Sequence, residues 1–248
     1  MAVKLIIDAH THLSRVFDPM FGFKYEVEQL LQAMDKHNID KAVTFPLPGV
    51  PDLRDANDYV SSCVQRYPSR LVGFACVNPY LGDQAEAELE RCFGKLGLKG
   101  LKLHPLAHAF QPNAKIVHPL IEKAKKYRVP VIFHTGNEFF ALPSLVGDLA
   151  ESFPEVTIII AHMGIMNYVS EALIAAKKNE NILLETSNIL LPVYIEMAVE
   201  TVGAERVVFG SDTPASHMAV ELKKLEVAGL KESEIKLILG ENMRKILE

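Results

Sequence analysis

The chain has 248 residues, 49% of them hydrophobic, with 14 glycines and 14 prolines spread along its length, which fits one globular domain, 1–248, with a large buried core. Its formal net charge of −5, without a block of like charges, offers no basic surface to nucleic acid and no polybasic patch to a membrane. The three cysteines, Cys63, Cys76 and Cys92, lack C-x-x-C spacing and argue against a disulfide framework or thiolate metal site; no apolar run has the length of a signal peptide or membrane span, and the expected setting is a reducing cytoplasm.

Taken in order, short β-branched runs alternate with longer segments of helical period, the pattern of a parallel sheet with helical crossovers. Strands are expected over 4–8, 42–45, 71–77, 100–104, 129–134, 156–162, 182–185 and 207–211. Helices are expected over 25–36, 55–66, 84–93, 116–127, 142–152, 168–178, 192–202 and 217–228, from apolar positions at three-to-four spacing. The last segment, 231–247, contains Gly240, Glu241 and Asn242, read as a break between two short closing helices. Eight such units predict an α/β fold, a single (β/α)8 TIM barrel with extra C-terminal helices. An open doubly wound sheet would carry a Gly-rich turn after its first strand, and none is present.

The stretch Asp8-Ala9-His10-Thr11-His12 follows the apolar run Leu5-Ile6-Ile7. Alternate residues of a strand share a face, so His10 and His12 point the same way and suit a divalent transition metal. Asp8, two residues earlier, is read as a brace for one of the imidazoles. Polar residues recur at later strand ends: Lys102 and His104 on the fourth, His134 on the fifth, His162 on the sixth and Asp212 on the eighth. In a closed barrel these ends share one rim, where active sites of this fold are built.

With its His-x-His, Lys-Leu-His-Pro, Phe-His-Thr-Gly, Ala-His-Met-Gly and Gly-Ser-Asp-Thr-Pro runs, the sequence resembles the amidohydrolase superfamily, in particular the amidohydrolase-related branch of metal-dependent hydrolases and decarboxylases. The resemblance extends from Asp8 to the closing Gly-Glu-Asn-Met-Arg-Lys-Ile-Leu. It implies that His10, His12, His134 and Asp212 hold the catalytic metal, and that His162 orients or polarises the substrate or the attacking water. In some superfamily members a carboxylated lysine bridges two metals. Here the Lys-Leu-His-Pro context resembles the mononuclear branch, which leaves Lys102 as a substrate-side cation or a buried salt-bridge partner and His104 as a substrate contact.

Three imidazoles and a carboxylate leave a divalent ion, zinc by preference, with positive charge and room for a water whose pKa it lowers to about 7. Asp212 can accept a proton from that water and return it to a leaving group. The rim segments 16–21 and 138–140 are short and partly apolar, which favours a small organic substrate over a polymer; Arg15, beside the metal motif, is read as an exposed surface arginine with contact to a substrate carboxylate as its alternative. The reading that follows is a mononuclear hydrolase of an ester, lactone or amide. Its alternatives are a non-oxidative decarboxylase of an unsaturated or aromatic acid, and a catalytically silent binding barrel. The oligomeric state stays open, a homodimer included.

Overall fold

The computed structural model describes residues 5–136 and 139–248. The elements run β1 (Ile7–Asp18), β2 (Phe23–Tyr25), α1 (Val27–Lys36), β3 (Lys41–Pro46), α2 (Leu53–Arg66), β4 (Leu71–Gly73), β5 (Ala75–Cys76), α3 (Asp83–Gly94), β6 (Leu101–Leu103), α4 (Pro105–His108), α5 (His118–Tyr127) and β7 (Val131–Phe133). They continue with α6 (Pro143–Ser152), β8 (Ile158–Ile160), α7 (Val169–Lys178), β9 (Ile182–Glu185), α8 (Val193–Val202), β10 (Val207–Val208), α9 (Met218–Val227), α10 (Glu232–Lys236) and α11 (Asn242–Leu247). Residue 4, expected to open the first strand, and residue 138 of the rim lie outside the described residues.

Two runs of paired strands, β2-β1-β3-β4 and β10-β9-β8-β7-β6-β5, make up the sheet. Only Phe74 separates β4 from β5, and its N–H bonds to Thr44 O on one side while Ala75 N–H bonds to Gly100 O on the other, so the two pieces form one barrel strand. At the opposite seam, Ala9 N–H reaches Phe209 O, Asp212 N–H reaches His10 O and His12 N–H reaches Thr213 O, at 2.8–2.9 Å. The ring of backbone hydrogen bonds is thereby closed, as a (β/α)8 barrel requires.

Strand parity sorts the core into two layers. Ile132, Ile159, Leu183 and Val208 face the barrel interior with Phe45 and Phe74, whereas Val131, Phe133, Ile158, Ile160, Ile182 and Leu184 pack under the helices. The same alternation carries Lys102, His134, Glu185, Gly210 and Asp212 inward on their strands. On β1 the alternation breaks: the register with β3 slips between Asp8 and Thr11, so that three steps on β1 match two on β3. Such a bulge re-aims the side chains beyond it. Ile7 and Ala9 are inside below it, and His10 and His12 are inside above it.

Three expectations need correction. The first strand does not stop at Asp8 but runs to Asp18 and forms a hairpin with β2, because Thr11, His12 and Leu13 keep pairing with β3 and Ser14 and Asp18 pair with β2. A one-turn helix, α4, outside the expected helices, follows His104, whose ring accepts from the Ala107 N–H. The closing segment has no break at Gly240: a π-helical turn, Leu237–Glu241, joins α10 to α11. Gly240 serves close approach, since a Cβ there would lie 2.4 Å from Leu5 O at the start of the barrel.

Candidate metal centre and active site

His10 and His12 leave the bulge of β1 fully buried, and Asp212 reaches them from the segment after β10. Asp212 Oδ1 lies 3.1 Å from His10 Nε2 and 3.0 Å from His12 Nε2. The other ring nitrogens are engaged by acceptors: His10 Nδ1 donates to Glu185 Oε2 at 3.0 Å, and His12 Nδ1 faces Pro46 O at 3.4 Å. With its single proton on Nδ1, each neutral ring turns a bare Nε2 towards a carboxylate oxygen. Two lone pairs and a carboxylate oxygen in mutual contact repel unless a proton or a cation lies among them. Buried charge tells the same way: Glu185 and Asp212 against Lys102 leave an excess of negative charge, none of the three more than 6% exposed. A cation would offset that excess, and the imidazole and carboxylate donors present fit a divalent ion.

Among the described residues, a second triplet, His10, His162 and Glu185, also brings donor atoms within 4.8 Å of one another. There, however, Glu185 Oε2 already accepts from His10 Nδ1, the His162 N–H and Ser187 Oγ. The triplet His10, His12 and Asp212 is the more open to a metal. His134 is not within either triplet; its Nδ1 lies 3.1 Å from His162 Nε2, and its own Nε2 is buried without a partner in the structure. His162 arrives by a break in parity: Ala161 faces inward, and His162 and Met163 take left-handed backbone angles, φ 65° and 45°, turning the ring back over the site.

Electrostatics follows from burial and contact. Burial and the Lys102 ammonium pull His10 down, but Asp212 and Glu185 outweigh them and its pKa is raised. Burial wins at His12 and at His162, which are lowered, and at His134, which falls to about 3. Burial would raise Asp212, yet its contacts with His10 and His12 hold it well below the usual carboxylate range. Lys102 is pushed down to about 8 by burial, with Asp212 and Glu185 opposing. Its Nζ lies 3.1 Å from His10 Nε2 and 4.8 Å from the centre of the Phe45 ring.

The remaining sequence-derived positions scatter. His104 caps α4 through Nδ1, and its ring stacks on His134 at 4.0 Å. Arg15 is half exposed and pairs with Asp55 on α2, with no contact to the buried cluster among the described residues. Asp8 braces backbone and not an imidazole: Oδ1 accepts from the His10 and Ser211 N–H groups, tying the first barrel strand to the last, because the bulge ends its alignment with the histidine rings. Burial raises the Asp8 carboxyl to about 7. Sequence reasoning missed Glu185, Ser187 and Asn188, whose side-chain amide donates to Asp212 Oδ2. Glu185 closes the apolar run of β9 at the position where other strands present histidines, and that was a legible signal. Exposed Phe17, near the end of β1, and Met20, Phe139, Phe140, Met166, Leu190 and Leu191, on segments following strands, give the site's end of the barrel an apolar border.

A closed parallel barrel with buried histidines and carboxylates at the carboxyl ends of its strands is the architecture of metal-dependent barrel enzymes. The chain belongs to the amidohydrolase family, whose sequence profile matches residues 7–248. Gamma-resorcylate decarboxylase of Polaromonas sp. is 21% identical over 89% of this chain and 87% of its own length. Among solved structures, 2,6-dihydroxybenzoate decarboxylase from Rhizobium superposes with a TM-score of 0.79 at 18% identity, covering 99% of both chains. A dihydroxybenzoic acid decarboxylase from Polaromonas sp., with bound manganese and the inhibitor 2-nitroresorcinol, gives 0.79 at 19% identity, covering 99% of this chain and 97% of that one. These relatives correct the expectation of a hydrolase acting on an ester, lactone or amide. The donor set is common to both chemistries, and the short rim from which hydrolysis was inferred does not discriminate between them. Among the described residues no helix is long and apolar enough to cross a membrane.

Proposed function

We propose that this protein is a metal-dependent, non-oxidative decarboxylase of a small aromatic or unsaturated carboxylic acid. The observation that carries the reading is the buried charge-paired cluster around Asp212, in a chain matched along most of its length by a decarboxylase. The ligands are His10, His12, His134 and Asp212, and one divalent ion per chain is held. When bound, the ion supplies a Lewis acid that orients the substrate and withdraws charge from it. Zinc and manganese both suit this mixture of imidazole and carboxylate, and manganese in the Polaromonas structure makes it an equal candidate to zinc.

Decarboxylation exchanges a C–COO⁻ bond for a C–H bond: one proton goes to the carbon and carbon dioxide leaves. Asp212 carries that proton, and His162 positions the ring that receives it. The Lys102 ammonium, fixed in the barrel interior, sets a positive charge against the anionic substrate. The exposed apolar border offers a planar ring a nonpolar surface at the site's end of the barrel.

The test is product analysis with metal-loaded protein on hydroxybenzoates, including 2,6-dihydroxybenzoate (gamma-resorcylate) and its analogues, beside a panel of lactones, esters and amides. Metal-dependent release of carbon dioxide is expected. Turnover of the second panel without carbon dioxide from the first overturns the proposal.

A further inference from the structure

Hydrogen-bond accounting around Glu185 reaches beyond His10. Glu185 Oε1 accepts from the Ser187 N–H at 2.5 Å, and Oε2 accepts from Ser187 Oγ at 2.9 Å. A carboxylate only accepts, so the single hydroxyl proton of Ser187 is directed at Glu185. His162 Nδ1 lies 2.8 Å from the same Oγ. With the hydroxyl proton already used, the ring must donate, and neutral His162 carries its proton on Nδ1 and leaves Nε2 bare. That Nε2 is 3.1 Å from His134 Nδ1. His134 must in turn donate from Nδ1, which makes its Nε2 a bare lone pair. This is the buried atom that has no partner in the structure.

We propose that Glu185 and Ser187 form a tautomer relay that prepares the metal site. Glu185 acts directly on His10 and, through Ser187 and His162, on His134, so that His10 and His134 both present unprotonated Nε2 atoms. The two are positioning residues: they act through the histidines. The fold is built for this carboxylate. Position 210, which parity points at Glu185, is glycine, and a Cβ there would lie 2.2 Å from Glu185 Oε1. Outer carboxylates that orient ligand histidines are general in metal sites, but here one carboxylate governs rings from three strands, two of them through a hydroxyl.

The relay rests on the metal-centre reading and is independent of the reaction catalysed. The full-length, zinc-loaded protein labelled with ¹⁵N-histidine is read by long-range ¹H–¹⁵N correlation, and zinc affinity is measured by chelator competition. His162 is expected in the Nδ1–H form with an unprotonated Nε2, and His134 with Nδ1–H. Ser187→Ala should mix the His162 tautomers and weaken zinc binding about 10–100-fold, and Ser187→Thr, which keeps the hydroxyl, should restore both. His162 found as Nε2–H in the wild type overturns the relay, as does Ser187→Ala with unchanged tautomers and affinity. Should Ser187→Ala fail to fold, the wild-type spectrum decides alone. A protein that binds no zinc or manganese refutes the metal-centre reading instead, and its histidine spectrum still decides the hydrogen-bond relay.

Discussion

Gly210→Ala adds a single methyl and removes no polar group, so it tests how the site is held apart from what it contains. The new Cβ would fall 2.2 Å from Glu185 Oε1, 2.6 Å from Glu185 Cδ and 2.9 Å from the His10 Cβ. Ordinary contact requires the carboxylate to retreat by about 1 Å, since carbon–carbon contacts are optimal near 3.5–4.0 Å. That displacement stretches the 3.0 Å bond between His10 Nδ1 and Glu185 Oε2 out of hydrogen-bonding range. Losing a hydrogen bond to a charged group costs about 1.5–3 kcal/mol. Overpacking by one methyl costs about 1–3 kcal/mol, so the fold should lose roughly 2.5–6 kcal/mol. Urea denaturation in excess chelator reads this loss without metal. Chelator competition on the folded variant should show metal affinity down about 10–100-fold. A Gly210→Ala protein with wild-type stability and wild-type metal affinity would refute the claim that Glu185 is confined there and that its confinement aims His10.

Asp212→Asn should lower kcat on the order of 10²–10⁴-fold when assayed at saturating metal with occupancy counted in the same sample, and full kcat at full occupancy would exclude proton transfer by Asp212. Lys102→Met removes an ammonium 3.1 Å from His10 Nε2, and should tighten metal binding on the order of tenfold or more by relieving repulsion, with turnover lost; unchanged affinity in chelator competition would place the ammonium outside the field of the metal. Elemental analysis of the purified protein should return about one divalent ion per chain, and two tightly held ions would contradict a mononuclear centre. Glu88 gives a pH dependence away from the site. Burial would raise it, but hydrogen bonds from Arg91 and Asn57 prevail and hold it below its ordinary 4.5. A lowered folded pKa contributes stability above the unfolded value and loses it as pH falls through the folded one. Glu88→Gln should therefore cost about 1.5–3 kcal/mol at pH 7, with the gap narrowing below about pH 4.5 in urea titrations. An equal gap at pH 7 and pH 3 would show that the ionised form is not what Arg91 stabilises.

Local chemistry fixed much of this protein before any tertiary contact is considered. Apolar runs of strand length alternating with helical periods require a parallel sheet with crossovers. Within such a strand, parity alone sends Lys102, His134 and Asp212 inward once Leu101, Phe133 and Val208 are assigned. Glu185 obeys the same parity, one step from Leu184, and was within reach of that reasoning. Other features have no one-dimensional signature. The bulge between Asp8 and Thr11 exists only because β1 must match β3, and it brings the two histidines inward while turning Asp8 to the seam of the barrel. The left-handed turn at His162 depends on what packs around it, since nothing in Ala-His-Met-Gly requires positive φ at a histidine. Arg15 shows the converse: its neighbourhood in sequence is the metal motif, but its guanidinium is held by Asp55, forty positions away. Sequence sets which atoms can ligate, by residue type and alternation. Only closure of the barrel, which lays the strand bearing Asp212 against the strand bearing His10, decides which atoms meet and which ring nitrogens are left bare.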